Sequence, residues 1–411
     1  MRSGTPGFQP KRLTEAREAR GITQVNLAQL VDRNKSTISK WEKGDQTPDQ
    51  ETLERLANAM NVRPSYFLLP TPEHGDRPQF FRSMASTTLG ARKRAHARLR
   101  WLQDISLALQ KQVEFPPVDI PTCEKADHNA ISNNEIERLA GKCRRHWMMG
   151  DGPISDMMLV LENAGVVVAY DELDSAKMDG LSNWSDADDH PYVLLASDKS
   201  NCVRSRMDAA HELGHLVLHR HVDMTTLNKK ADFKLIEDQA FAFASAFLMP
   251  AESFAAEVTF PSLDGLLALK ERWRVSVAAM VMRCKKLGII DDYHATQLFK
   301  NRSRRGWIKQ EPLDDTLEVE RPRLLARSIK LLVEENVLSK GMLLNELRMS
   351  TRDVEELTSL PAGYLSAPAA EVAVLPKLKV KAELPPHDNK ALPDGVSNVI
   401  SFPSNTNNDE G

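Results

Sequence analysis

The strongest constraint on this chain is Ala210-His211-Glu212-Leu213-Gly214-His215, two histidines four residues apart with a glutamate after the first, set in an apolar run of helical period. On an α-helix, residues four apart lie one above the other, about 6 Å along the axis, so both imidazoles can close on one tetrahedral metal ion. Zinc suits such a pair, and a catalytic zinc takes three protein ligands and a water. Glu212, beside the first imidazole, is placed to take a proton from that water and return it to a leaving amine. Peptide-bond hydrolysis is therefore the leading chemistry.

A third ligand has to come from elsewhere. His221 stands at the spacing of the last histidine in HExxHxxGxxH, but Leu218 occupies the position where a glycine would bend the chain. A continuing helix carries His221 about 9 Å beyond His215 and onto another face. Glu237, 22 residues after His215, is the better candidate, with Asp238 as the fallback. Glu237 opens an Ala/Phe-rich stretch that reads as a second helix ended near Pro250. Ala240, Ala244 and Ser245 are small enough to let that helix approach the first. His219, one turn past His215, is a candidate to orient the site from behind the ligands.

Taken together, Ala210 through His219, Glu237-x-x-Ala240 and Phe247-Leu248-Met249-Pro250 resemble the ImmA/IrrE family of bacterial and phage zinc metallopeptidases. The resemblance implies an α+β, zincin-like domain holding Zn2+ on His211, His215 and Glu237, with Glu212 as the base. Phe241 replaces the Asn that often follows the Ala. The upstream order also fits the family: a helix starting at Gly152-Pro153-Ile154, a strand Val166 to Tyr170, then Asp179 to Ser182 and Tyr192 to Ala196. The likeness runs over residues 130 to 290.

A second pattern lies near the start. Thr23 reads as an N-cap ahead of a helix Gln24 to Leu30, and a second helix follows from Lys35 to Glu42. Ala28, Leu30, Ile38 and Trp41 are expected to face inward. Lys35, Ser36, Thr37, Ser39 and Lys40 then fall on the face that would enter a major groove, with Gln24 and Lys43 as phosphate contacts. Residues 1 to 70 carry 11 Lys/Arg against 8 Asp/Glu in a chain whose net charge is −3. The basic bias sits where a polyanion would bind. Ser36-Thr37-Ile38-Ser39-Lys40-Trp41-Glu42-Lys43-Gly44, then Pro48 and Leu53-x-x-Leu56-Ala57, is similar to the XRE (Cro/cI-like) repressor family over residues 9 to 69. That likeness implies a five-helix domain binding double-stranded operator DNA, usually as a homodimer.

Residues 82 to 121 read as a basic amphipathic helix with a solvated face, Ala95, Leu99, Leu102, Ile105 and Leu109 forming its apolar side, followed by a stiff hinge at Pro116, Pro117 and Pro121. The peptidase portion is expected over 130–310 and a helical subdomain over 311–365. In that subdomain, Leu343 to Leu347 and Ser350 to Leu357 echo a helix-turn-helix. Its second helix carries three carboxylates against one arginine, which suits packing or protein docking rather than DNA. From 366 to 411 a Pro/Ala/Asn-rich flexible tail is expected, with Val399-Ile400-Ser401-Phe402 as an isolated apolar spot.

The expected fold is mainly α with a small β-sheet: a helix-turn-helix domain, an HExxH domain and a C-terminal helical region. Without a signal-like apolar start or a run of roughly 20 apolar residues, no membrane association is expected and the cytoplasm is the expected compartment. The four cysteines, Cys123, Cys143, Cys202 and Cys284, form no CxxC pair. Two function classes follow. One is a DNA-bound regulator whose zinc endopeptidase cleaves a repressor, or the chain itself, to switch a stress or mobile-element response. The other is a non-catalytic repressor or antitoxin-like regulator that uses the peptidase fold as a sensor or docking surface.

Overall fold

The computed structural model describes residues 4–366, except 76, 78–79, 82–86, 126, 174–177 and 199–200. The expected tail, with its apolar spot at Val399 to Phe402, therefore lies outside the described residues beyond Ser366.

Four short helices open the chain: α1 (Pro10–Ala19), α2 (Gln24–Leu30), α3 (Lys35–Lys43) and α4 (Gln50–Met60). Their starts are written locally. Thr23, Asn34 and Asp49 each accept a hydrogen bond from a backbone N–H three residues on, satisfying a donor that the first turn leaves open. Gly44 ends α3 in the left-handed region, at φ 81°, where a side chain would be strained. The expected fifth helix is only a 3-10 turn, Pro64–Leu68, started by its proline. Leu30 corrects another expectation, since it is 60% exposed. The inward stripe of this segment is Leu27, Ala28 and Val31, which leaves Leu30 on the solvent side.

Next come the two-residue strand β1 (Phe80–Phe81) and the long helix α5 (Leu89–Gln110). The apolar side expected for α5 is buried, but so are Arg98, Trp101, Gln103 and Ser106. The basic face expected of α5 is thus only partly solvated, with Lys93 exposed, Arg92, Arg94 and Arg100 half-buried and Arg98 enclosed, because the helix packs against α1, the sheet and the C-terminal helices at once.

The middle of the chain supplies α6 (Asn133–His146), α7 (Met157–Asn163), β2 (Val167–Asp171), β3 (Gly180–Trp184), β4 (Pro191–Ala196) and α8 (Cys202–Leu218). The helix expected to start at Gly152 begins instead at Met157. Asp156 caps it, and Glu320 accepts the backbone N–H of Met157. After α8 follow α9 (Met224–Leu227), α10 (Lys230–Leu248), α11 (Ala251–Glu257), α12 (Leu263–Trp273), α13 (Val277–Lys286) and α14 (Asp292–Arg304). The chain's described part closes with α15 (Leu324–Glu334), α16 (Lys340–Leu347) and α17 (Thr351–Thr358).

The strand order is β1-β3-β4-β2, with β2 parallel to β4 and the other pairs antiparallel. Alternation along the strands divides two cores. Val167, Ala169, Tyr192 and Leu194 belong to a core shared with α1–α5 and α15–α17. Val168, Tyr170, Val193 and Leu195 face the other way, into a core with α6–α8, α10 and α12–α14. The N-terminal helices and the C-terminal helices therefore share one apolar interior behind the sheet, and the HExxH helix lies in front of it. On the rear side, Asp353 of α17 binds both Arg20, just past the end of α1, and Arg98 of α5, and Arg98 also grips Asp171 of β2 through two hydrogen bonds of 2.6 and 2.7 Å. The acidic helix spends its carboxylate on the chain's own arginines.

Candidate metal centre and nucleic-acid face

His211 and His215 lie one turn apart on α8, and α10 runs against that helix. The close approach is set by Gly214: a Cβ there would stand 3.0 Å from the Ala240 carbonyl oxygen and 3.2 Å from its Cα. Any side chain would push α10, and with it Glu237, away from the histidines. Glu237 does not open its helix, as the sequence suggested. The helix begins two turns earlier at Lys230, so Glu237 is an interior residue and no helix-dipole role accounts for it.

The Nε2 atoms of His211 and His215 are 3.0 Å apart. The Glu237 carboxylate oxygens lie 3.4 Å from the first and 3.3 Å from the second. All three side chains are buried. Donors held by a tetrahedral zinc at about 2.1 Å stand roughly 3.4 Å from one another, so the triangle fits that ion. The two carboxylate contacts match that spacing, and the 3.0 Å between the imidazole nitrogens is somewhat tighter. The Glu237 carboxyl is held down at about 2; burial pushes it up, and the facing imidazoles of His211 and His215 more than reverse that. Asp238, turned about 100° round α10 from Glu237, is exposed and stands outside the buried donors. His221 is likewise exposed, beyond the end of α8.

The histidines' protons are arranged from behind. Gln239 donates its amide to the carbonyls of His128 and Ile131, at 2.8 and 3.0 Å, which leaves its Oε1 facing Nε2 of His219 at 3.0 Å. His219 must donate there. Burial foremost, then the neighbouring His215, keep it well below its ordinary pKa, so its Nδ1 carries a lone pair. That Nδ1 lies 3.1 Å from Nδ1 of His215. His215 therefore donates from Nδ1, which in the neutral imidazole makes Nε2 the lone-pair nitrogen facing the cluster, the tautomer a metal needs. Glu212 is buried beside the triad. A Cβ on Gly180 would come within 3.2 Å of its Oε1, so the glycine at the head of β3 makes room for the carboxylate.

At the other end of the molecule, Lys35, Ser36, Lys40 and Lys43 are exposed on α3, and Thr37 and Ser39 are half-buried. Asn34 ties down the first turn, accepting from the Ser36 and Thr37 hydroxyls at 2.7 Å each. Gln24 is engaged by Glu42, donating to it at 2.7 Å, and Arg17 holds the same carboxylate. Ile38 and Trp41 anchor the opposite face of α3 in the core.

Comparison with known proteins agrees with both ends. Residues 161–285 match the family described as the IrrE N-terminal-like domain, and residues 13–67 match the family described as helix-turn-helix. The chain joins an XRE-type helix-turn-helix segment to an IrrE/ImmA-like segment. It is also similar to the HTH-type transcriptional regulator ImmR of Bacillus subtilis (strain 168), 38% identical over 58 residues. That stretch is 14% of this chain and 46% of the regulator, so the likeness covers less than half of the relative.

Within the IrrE-like segment, sequence reasoning missed Gln239 and the two glycines. Gln239 stands two residues after Glu237, and its meaning depends on carbonyls of His128 and Ile131, more than 100 residues away. Gly214, inside the HExxH itself, was the readable clue to a close helix crossing. Phe241 packs its ring 4.4 Å from that of His211, so the residue that departs from the family pattern walls the site without displacing a donor. No helix of the described residues is long and apolar enough to cross a membrane.

Proposed function

We propose that this protein is a DNA-bound regulator carrying a zinc-dependent endopeptidase, which cleaves a repressor protein, or the chain itself, to switch transcription in a stress or mobile-element response. The observation that carries the reading is the convergence of His211, His215 and Glu237 in one buried triangle, with Glu212 on the same helix beside it. These three residues are the ligands in this reading. Zinc held there supplies an acidified water and polarises the scissile carbonyl. Glu212 takes the proton from the attacking water on its carboxylate and delivers it to the departing amine nitrogen. His219 and Gln239 keep the His215 tautomer, and the burial of the site raises the strength of every charge interaction within it.

In the same reading, residues 9–69 bind double-stranded operator DNA as a homodimer, with Lys35, Ser36, Thr37, Ser39 and Lys40 toward the bases and Gln24 and Lys43 toward phosphates. The bond between Gln24 and Glu42 must then open or be shared on binding. The peptidase portion spans 130–310 and the packing helices 311–365, with the cytoplasm as the working compartment. One observation favours the second reading, a regulator without turnover: the Phe80 ring lies flat on His215, at 4.6 Å, closing one side of the site.

Glu212→Gln decides between them. The expected result is one zinc per chain, an unchanged melting temperature, and loss of cleavage, whether of the repressor or of the chain itself, by roughly a hundredfold or more. Full cleavage by this variant would overturn the mechanism, and a wild type that takes up no zinc when metal is plentiful would leave the regulator without turnover.

A further inference from the structure

The outer edge of β3 borders the metal site, since Gly180 at its head lies against Glu212 and the strand packs on α8. In the described structure that edge is taken by two residues of the chain's own connection out of the N-terminal helices. Phe80 pairs with Ser182 and Phe81 with Leu181, antiparallel to β3. Residues directly opposite in such a ladder point to the same face of a sheet. Leu181 points into the rear core, so Ser182 and Phe80 point toward α8.

Phe80 is accordingly buried on the site itself. Its ring stacks on His215 within 10° of parallel and leans on His219 at 5.8 Å. Val222, Leu227 and Ile236 complete a small apolar socket separate from both main cores. The fit is incomplete in one respect. The Ser182 hydroxyl is fully buried and has no hydrogen-bond partner among the described residues. Among the described residues the pairing is two residues long.

We propose that Phe80–Phe81 acts as a built-in competitor at the metal site: it occupies the outer edge of β3 in cis, with Phe80 stacked on His215, and yields to an extended protein substrate that places an aromatic or large apolar side chain in the same socket. An extended peptide added to a sheet edge gains main-chain hydrogen bonds whatever its sequence, and a pocket for alternate side chains gives selectivity. The socket around Phe80 is such a pocket, and it calls for an aromatic or large apolar residue. An incoming chain that also reaches Ser182 makes a bond that no described residue makes. Because the occupant is tethered, it competes at an effective concentration in the millimolar range, which sets a threshold against casual peptides. The inference rests on reading the His211, His215 and Glu237 cluster as a peptidase centre.

The test uses the full-length Glu212→Gln chain, so that bound peptide stays intact, and a fluorescent peptide with the sequence of residues 77–84. Phe80→Ser should bind this peptide about tenfold more tightly or better, because the fraction of open sites limits the apparent affinity. Hydrogen exchange of the β1-facing amides of Gly180–Trp184 should quicken in Phe80→Ser and slow again once peptide is added. A Phe80→Ser protein that melts like its parent, yet shows unchanged exchange and unchanged peptide affinity, overturns the proposal. If that variant does not fold, the Glu212→Gln parent itself answers: saturating peptide should speed exchange at Phe80 and Phe81, and no change there overturns the proposal equally. Zinc content measured on the same samples separates this from failure of the peptidase reading, because a metal-free chain can still show or lack the displacement.

Discussion

Helices α3 and α8 are built on the same plan and put it to opposite uses. Each buries one apolar face, Ile38 and Trp41 in α3 and Leu213, Leu216 and Val217 in α8. The polar face of α3 stays in water, its lysines spread apart for a ligand that arrives from outside and brings its own negative charge. The polar face of α8 is buried with its donors about 3 Å apart. Buried polar groups so placed need a partner that replaces water, and a cation is the partner that satisfies two imidazole lone pairs and a carboxylate together. An exposed row of cations says that a polyanion is welcome without saying which one; a buried triangle of donors is far more specific.

The largest expected effect falls on the buried side of this comparison. His215→Ala and Glu237→Ala should each reduce zinc from about one per chain to near none by elemental analysis, whereas Asp238→Ala should retain it. Zinc kept by Glu237→Ala would remove the third ligand and reopen the choice. A smaller loss tests the proton arrangement behind the ligands. Gln239→Leu should weaken zinc binding by about 10- to 100-fold in a chelator competition, the range found when a partner behind a metal ligand is lost. Unchanged affinity would mean that the His215 tautomer is set by the metal alone.

On the exposed side the effects should be smaller per residue and dependent on salt. Lys35→Ala or Lys40→Ala, if the lysine meets a phosphate, should lower the slope of log affinity against log salt by about 1. If instead it reads a base, binding should fall on the cognate operator alone. Zinc content should not move in either case, and an unchanged operator affinity for both variants would take α3 out of the interface.

The smallest effect concerns the joint between the two ends. Glu15 of α1 is buried with Arg12, Asp104 of α5 and Tyr66, and burial, then Asp104, push its carboxyl up to about 7 against the pull of Arg12. A carboxyl raised in the folded state binds its proton more tightly there than in the unfolded chain. Its contribution to stability is therefore fully present below the unfolded value near 4.5 and is lost as pH rises through about 7. The melting temperature of the wild type relative to Glu15→Gln should fall between about pH 5 and about pH 8. A pH-independent difference would place the Glu15 proton elsewhere.

Much of this could be read along the chain. The cap at Thr23 and the helices it and the next turn begin, read as Gln24 to Leu30 and Lys35 to Glu42, rest on contacts within a few residues, and local patterns report local contacts. The four-residue spacing of His211 and His215 fixes their common face in the same way. Reading failed wherever a residue's role is set by distant neighbours. The apolar side of α5 was legible, yet its burial on other sides comes from α1, the sheet and the C-terminal helices closing around it. Glu237 was identifiable as a carboxylate of the right type, but its position inside α10 depends on a helix that starts earlier than its Ala/Phe-rich part suggests.

By itself, then, the sequence determined the helix-turn-helix, the HExxH helix and the common face of its two histidines, because helix periodicity and capping act over three or four residues. The tertiary structure decided how the donors close to about 3 Å, through the bare Gly214 crossing, and how His215 is tuned through Gln239. It also decided that Phe80 covers the site and that Asp353 joins the two ends on Arg20 and Arg98. These are pairings between groups far apart in the chain, held by burial and charge, and no spacing along the chain encodes them.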